Sequence, residues 1–376
     1  MEQPNVVFSH LDDLLQRIGN KIQIDDSKFE SAETSYKTVA KWLEEDEAFF
    51  GKFKLSIYPH GSFRLNTTVK PIKNDEFDLD FVLQVDSAIQ YYDPIFVLNQ
   101  LERRLKQHGV YKDKISKHKR CIRINYENDF HMDIMPAFLS ENQNYIKIPD
   151  RDLKSWVVSN PEGYAIWFEK QYIRGSYFLE KAASIKPLPD AVPYKILQPL
   201  QRSVQLIKRY RDIYFENESE EYLPKSIILS TLSALNYGFN TSDSESITCI
   251  LKNISEKIIG NSFKPFNIEN PVLKNEIFSS KWFKDIEIFI KFKKFIFDFN
   301  NDWTMMLTEK DIVKKYNYLN KFFGESISKT AVTEQANFMK SLKDKELLKI
   351  DKKIGMLTPF SSEKTLLHKR NNYFGD

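Results

Sequence analysis

The chain is 376 residues long, room for about two domains at a prior of roughly 150 residues each. Its hydrophobic fraction of 41% and charged fraction of 28% are those of an ordinary globular protein, which excludes collagen-like, low-complexity and wholly disordered chains. Fifty-five Lys and Arg against 52 Asp and Glu leave a net charge of only +3, so the chain is not a bulk polycation that coats nucleic acid, and any phosphate-binding surface has to be local.

In chain order, Phe29–Phe50 reads as helix, with Tyr36, Val39, Ala40 and Leu43 at helical spacing. Lys54–Tyr58 alternates and ends at Pro59. Phe77–Val85 alternates strictly and sends Phe77, Leu79, Phe81, Leu83 and Val85 to one face. Ile95–His108 returns to helix period, and Cys121–Tyr126, Phe130–Ile134 and Tyr145–Ile148 read as short strands. After about residue 160 the strands are expected to stop. Pro161 opens a helix expected to reach about Glu180, followed by a connector with Pro187, Pro189 and Pro193. Amphipathic patterns then cover roughly 197–215, 224–239, 244–259, 280–300, 309–323 and 331–348. The expected architecture is α+β, a mixed-sheet lobe over 1–190 with the N-terminal helices and a helical lobe over 191–376. The leading helices could pack on either lobe.

Cys121 and Cys249 form neither a disulfide framework nor a zinc-ligand spacing, and Met1–Asn5 lacks the basic start and apolar run of a signal peptide. The most apolar stretches, Ile227–Leu235 and Ile286–Phe299, are too short or broken by lysines to span a membrane. A cytoplasmic protein is expected.

The chemistry concentrates in three places. Gly61-Ser62 follows a strand; glycine lets backbone N–H groups approach a phosphate, and the serine hydroxyl can donate to it. A Gly-Ser pair alone means little, since Gly175-Ser176 is another with no acids behind it. Asp78 and Asp80 lie two apart on the alternating strand, so they project together and repel unless a cation sits between them. Asp133 is the single carboxylate in the apolar strand His131–Pro136. If that strand lies beside the first, three carboxylates converge, enough for a two-metal site for phosphoryl transfer. His131 shares the face of Asp133, where a neutral polar neighbour is the better reading than a ligand. Nine Lys and Arg between Arg103 and Arg123 could attract triphosphates or a nucleic-acid strand, or be a solvated face. Ile286, Phe289, Phe292, Ile296 and Phe299 form one stripe, read as a core helix with snorkelling lysines.

Taken in order, His60–Thr67, Glu76–Phe81 and His131–Pro136 resemble the polymerase-β-type nucleotidyltransferases, and more narrowly the bacterial cGAS/DncV-like nucleotidyltransferases (CD-NTases) of CBASS anti-phage systems. Trp156–Pro161, Gly163–Trp167, Arg202–Asp212, Pro224–Leu229 and Asn270–Trp282 agree with that group, with Ile277 where Asn is usual; the resemblance spans roughly 55–285. It implies a two-lobed fold with the active site in the cleft between the lobes. It also implies synthesis of a cyclic oligonucleotide from ATP, GTP or other nucleoside triphosphates, a purine-containing cyclic dinucleotide being favoured, with the product acting on a co-encoded effector. By position, Gly61 and Ser62 hold the donor triphosphate, as do Lys208 and Ser226 from the helical lobe. Asp78 and Asp80 bind two Mg²⁺ ions, which Mn²⁺ can replace, and Asp133 completes the second metal site and helps deprotonate the attacking hydroxyl. Ser159 is assigned to the acceptor pocket, where Val157 stands in place of the arginine that some guanine-using relatives carry after the tryptophan. No membrane contact and no stable nucleic-acid complex are expected. An RNA-tailing nucleotidyltransferase and an inactive nucleotide-binding scaffold are the alternatives; the intact acids argue against the scaffold.

Overall fold

The computed structural model describes residues 10–72, 76–86, 91–126, 130–140, 145–173, 193–345 and 347, and the backbone of three short strands beyond them. Gly175-Ser176 and the connector prolines Pro187 and Pro189 lie outside the described residues.

Two leading helices, α1 (His10–Ile22) and α2 (Asp26–Glu44), precede β1 (Leu55–Pro59), the single-turn α3 (Gly61–Arg64) and β2 (Phe77–Val85). Then come α4 (Pro94–Lys106), β3 (Ile115–Lys117), β4 (Ile122–Tyr126), β5 (Phe130–Leu139), β6 (Ile146–Asp150), β7 (Ser155–Ser159) and α5 (Pro161–Lys170). Asp93 caps α4 by accepting from the Ile95 and Phe96 amides, and Pro94 stands in its first turn. The strands form one mixed sheet in the order β1-β2-β5-β4-β3, with β6 and β7 extending it from β5. β2 and β5 run parallel at its centre, where Leu79, Phe81, Met132 and Ile134 are fully buried. Helix α2 lies on this core through Ala32, Tyr36, Val39 and Leu43.

The second lobe holds α6 (Pro199–Tyr214), α7 (Ser226–Leu235), α8 (Asp243–Gly260), α9 (Ile286–Thr308), α10 (Ile312–Phe323) and α11 (Glu325–Asp344). Its core is aromatic: Tyr210 packs against Phe295, Phe299 and Phe322 at ring-centre distances of 5.5, 4.2 and 5.2 Å. Helix α1 joins this core through Leu15, Ile18 and Ile22, and α5 through Tyr164 and Phe168. The two leading helices thus separate, one to each lobe.

The expectation that strands stop near residue 160 is corrected. A hairpin of β8 (Glu269–Asn270) and β9 (Leu273–Ile277) interrupts the helices, and β10 (Lys349–Asp351), β11 (Leu357–Thr358) and β12 (Thr365–Leu367) form a three-stranded sheet. The hairpin is short and Asn270 is its only buried strand residue, so it carries no buried alternating run for a sequence reading to detect. Helix α5 ends at Lys170 rather than near Glu180. The α9 stripe is buried as read at Phe289, Phe292, Ile296 and Phe299, but Ile286, at the helix start, is 52% exposed. No helix among the described residues is long and apolar enough to cross a membrane.

Candidate active site

The site is built on the two central strands. Their parallel register sets Asp80 beside Asp133 and Asp78 beside His131. Because Leu79, Phe81, Met132 and Ile134 are drawn into the core, the alternate positions Asp78, Asp80 and Asp133 face outward together. A column of rings lies beneath them: Phe29 on Phe63 at 5.6 Å, Phe63 on Phe77 at 5.8 Å and Phe77 on Phe130 at 5.4 Å. This column ties α3 to the strands that carry the acids.

Gly61 begins α3 with φ of +64°, the left-handed region, and a Cβ placed there would stand 2.5 Å from Asp80 Oδ2. Only glycine lets the turn approach the carboxylate this closely. Ser62 Oγ accepts from Thr68 Oγ1 at 3.1 Å, which leaves its own proton to donate to a ligand.

The helical lobe grips the segment after α3 with one stripe of α6. Gln201 Nε2 donates to the Leu65 carbonyl (2.9 Å), Gln205 Nε2 to the Asn66 and Thr68 carbonyls (3.2 and 3.1 Å), and Lys208 Nζ to the Thr67 carbonyl (3.0 Å). Positions 201, 205 and 208 follow the i, i+4, i+7 spacing of one helix face. Beside Lys208, Arg211 Nη1 donates to Ser226 Oγ at 2.9 Å and also to the Pro224 carbonyl. Two cavities of about 350 and 320 Å³ meet at Ser62, Asp78, Lys208 and Ser226. The first runs past Arg211; the second passes Gly61, Asp80, Ser159, Tyr164, Asn270 and Glu276.

The electrostatics follow from crowding. Burial, then the Asp133 and Asp78 charges, push the Asp80 carboxyl up to about 8. Among the described residues no hydrogen-bond donor reaches that carboxylate. Burial, with Arg211 nearby, pulls Lys208 down to about 7. Burial likewise lowers His60 to about 4, which keeps its imidazole neutral beside Asp133. His131 lies against Glu76 at 2.5 Å and 3.6 Å from Asp78, on the polar side of the cluster.

Arg123 dominates the outer edge. Its Nε and Nη2 donate to the two oxygens of Asp133 at 2.7 and 2.8 Å, and Nη2 also reaches Asp78 Oδ1 at 3.1 Å. Among the described residues no three acid, imidazole or thiol groups close into a ready-made cage for a cation; at this site a guanidinium stands between two of the carboxylates. The donor set itself suits a hard divalent cation. Three carboxylates share one face, and one of them is destabilised by burial with no donor to offset it.

The structure brings together Gly61, Ser62, Asp78, Asp80, Asp133, Lys208 and Ser226, and Ser159 lines the same cavity from β7. It adds Arg123, Arg211, His60 and the Asn270–Glu276 pair, joined at 2.6 Å. Arg123 had been legible only as part of the basic run, although burial of Ile122 and Ile124 places it on the face of Asp133. Much of that run pairs with nearby acids: Arg103 with Asp46, Lys106 and Lys117 with Glu102, and Lys119 and Arg120 with Asp150.

Residues 8–171 match the Second Messenger Oligonucleotide or Dinucleotide Synthetase domain. A c-di-GMP synthase of Roseivirga ehrenbergii is 32% identical over 373 residues, 98% of this chain and 98% of that protein. The cyclic dinucleotide synthase CdnG of Bradyrhizobium diazoefficiens is 24% identical over 61% of this chain and 59% of its own length. The solved structure of the Bradyrhizobium diazoefficiens CdnG in complex with GTP superposes with a TM-score of 0.72 at 20% identity, covering 87% of this chain and 99% of that one. The Vibrio cholerae DncV cyclic AMP-GMP synthase, with a linear intermediate, superposes at 0.56 and 15% identity, covering 85% and 82%.

Proposed function

This chain belongs to the cGAS/DncV-like nucleotidyltransferases, the CD-NTase family of the CBASS type, and we propose that it condenses two purine nucleoside triphosphates, GTP foremost, into a cyclic dinucleotide. It is a polymerase-β-type nucleotidyltransferase, a cyclic oligonucleotide synthase. The observation that carries the proposal is the placing of Asp78, Asp80 and Asp133 across one cleft from Lys208, Arg211 and Ser226, with Ser62 between. Similarity to a c-di-GMP synthase along 98% of both chains supports guanine as the base.

In this reading the donor triphosphate lies along Ser62, Lys208, Arg211 and Ser226. Lys208 supplies a point charge and Arg211 a planar fork to phosphate oxygens. The acceptor nucleotide occupies the cavity lined by Ser159, Tyr164, Asn270 and Glu276. A ribose hydroxyl of the acceptor attacks the donor α-phosphorus. One P–O bond forms, the bond to pyrophosphate breaks, and the hydroxyl proton passes to Asp133. The linear dinucleotide then turns round in the same cleft and the second condensation closes the ring. Asp78, Asp80 and Asp133 would hold two Mg²⁺ ions, or Mn²⁺ in their place, which supply charge neutralisation for the phosphates and lower the pKa of the attacking hydroxyl. The product's target is proposed to be a co-encoded effector in anti-phage defence.

The test incubates the pure protein with GTP, ATP and mixtures, with Mg²⁺ or Mn²⁺, and treats the products with phosphatase. A phosphatase-resistant dinucleotide supports the proposal. A linear product that phosphatase trims indicates tailing, and no product at all returns the chain to a nucleotide-binding scaffold.

A further inference from the structure

We propose that Arg123 is a displaceable counter-ion of the catalytic carboxylates: without bound cations it occupies Asp133 and Asp78, and a divalent ion can use Asp133 only after the guanidinium has let go. The inference rests on the reading of Asp78, Asp80 and Asp133 as metal ligands.

The geometry is that of a blocked ligand. Arg123 on β4 stands directly opposite Asp133 on β5 in the antiparallel register. The fork meets both Asp133 oxygens, at 2.7 and 2.8 Å, so each already accepts a charge-assisted hydrogen bond. The same Nη2 spans to Asp78 Oδ1 at 3.1 Å, across the gap a shared cation would have to enter. A divalent cation at its usual distance of about 2.1 Å from a carboxylate oxygen would stand against a guanidinium held at hydrogen-bond distance from that oxygen. Two like charges so close repel strongly in a half-buried cleft. The charged or titratable groups that bear on Arg123 are Asp133, Asp78, Asp80 and Cys121. A released guanidinium needs another anion, and the phosphates of an arriving nucleotide supply one. Arg123 therefore ties metal loading to nucleotide arrival and keeps Asp133 compensated in the meantime. It acts through Asp133, as a positioning residue.

The experiment reads metal binding without turnover. Free Mn²⁺ is followed by electron paramagnetic resonance as it is titrated into the full chain in the absence of nucleotide, for wild type, Arg123→Gln, Arg123→Lys and Arg123→Gln with Asp133→Asn. Removing a competitor that makes charge-assisted hydrogen bonds should tighten Mn²⁺ binding by about ten- to a hundredfold in Arg123→Gln. Arg123→Lys, which cannot fork, should show a smaller gain and keeps the test valid if Arg123→Gln fails to fold. The added Asp133→Asn should cancel the gain, and a non-hydrolysable triphosphate should tighten Mn²⁺ binding more in wild type than in Arg123→Gln. Equal or weaker Mn²⁺ binding in Arg123→Gln overturns the inference. If the wild-type chain makes no phosphatase-resistant product and none of the four proteins binds Mn²⁺, the metal-site reading has failed instead.

Discussion

Asp80→Asn should stabilise the metal-free protein while abolishing synthesis. Asp80 is half-buried against Gly61, receives no hydrogen bond among the described residues, and has its carboxyl pushed up to about 8 by desolvation and by Asp133 and Asp78. The folded state therefore binds a proton that the unfolded chain, at 3.8, has already released. The sign follows directly: between about pH 4 and 8 the native state holds the extra proton, so stability falls as pH rises through that window and levels off above it. About four pH units at ~1.4 kcal/mol each set a ceiling of ~6 kcal/mol. Partial solvent access reduces this to about 2–3 kcal/mol. Asparagine keeps the shape of the neutral acid and has no pH-dependent cost. In EDTA, the melting temperature of Asp80→Asn should exceed wild type by about 3–4 °C at pH 8.5, with a much smaller gap at pH 4.5. Added Mn²⁺ should raise the wild type and leave the variant nearly unmoved. A gap that is the same at both pH values, or a variant less stable than wild type at pH 8.5, would falsify the reasoning.

Lys208→Ala should lower kcat/KM for nucleotide about ten- to a hundredfold, with partial rescue by arginine. Because burial holds Lys208 at about 7, wild type at pH 8 must take up a proton as the triphosphate binds; calorimetry in buffers of different ionisation enthalpy should detect that uptake, and Lys208→Ala should lose it. Gly61→Ala should cost about 1–2 kcal/mol through its positive φ and push Asp80 aside, with at least about a hundredfold loss of initial rate in a protein that still melts cooperatively. Arg202→Leu should cost about 3–5 kcal/mol in urea unfolding, because Arg202 Nε holds the buried Asp243 at 2.6 Å; adding Asp243→Asn should recover much of the loss, and equal instability of the double variant would refute the pairing argument.

The alternation of Phe77–Val85 and of His131–Pro136 was enough to put three carboxylates on outward faces, because a strand's side-chain period of two leaves only one way to bury Leu79, Phe81, Met132 and Ile134. The Gly-Ser turn, the order of the motifs and the amphipathic periods of the second half were equally local, and these delimited most helices to within a few residues. What stayed hidden depends on partners distant in sequence. That β2 and β5 are neighbours and parallel follows from packing the whole sheet, and only this pairing sets Asp80 beside Asp133. The stripe Gln201, Gln205 and Lys208 is an ordinary polar helix face until the fold presents it to residues 65–68, whose carbonyls need donors. Arg123 belongs to a run of cations that sequence cannot divide. The tertiary fold decides that Arg103 meets Asp46, 57 positions away, whereas Arg123 meets Asp133 and Asp78. A periodic pattern determines which way a side chain points, since backbone geometry alone sets it; which charge waits at the other end is decided only when the chain has closed on itself.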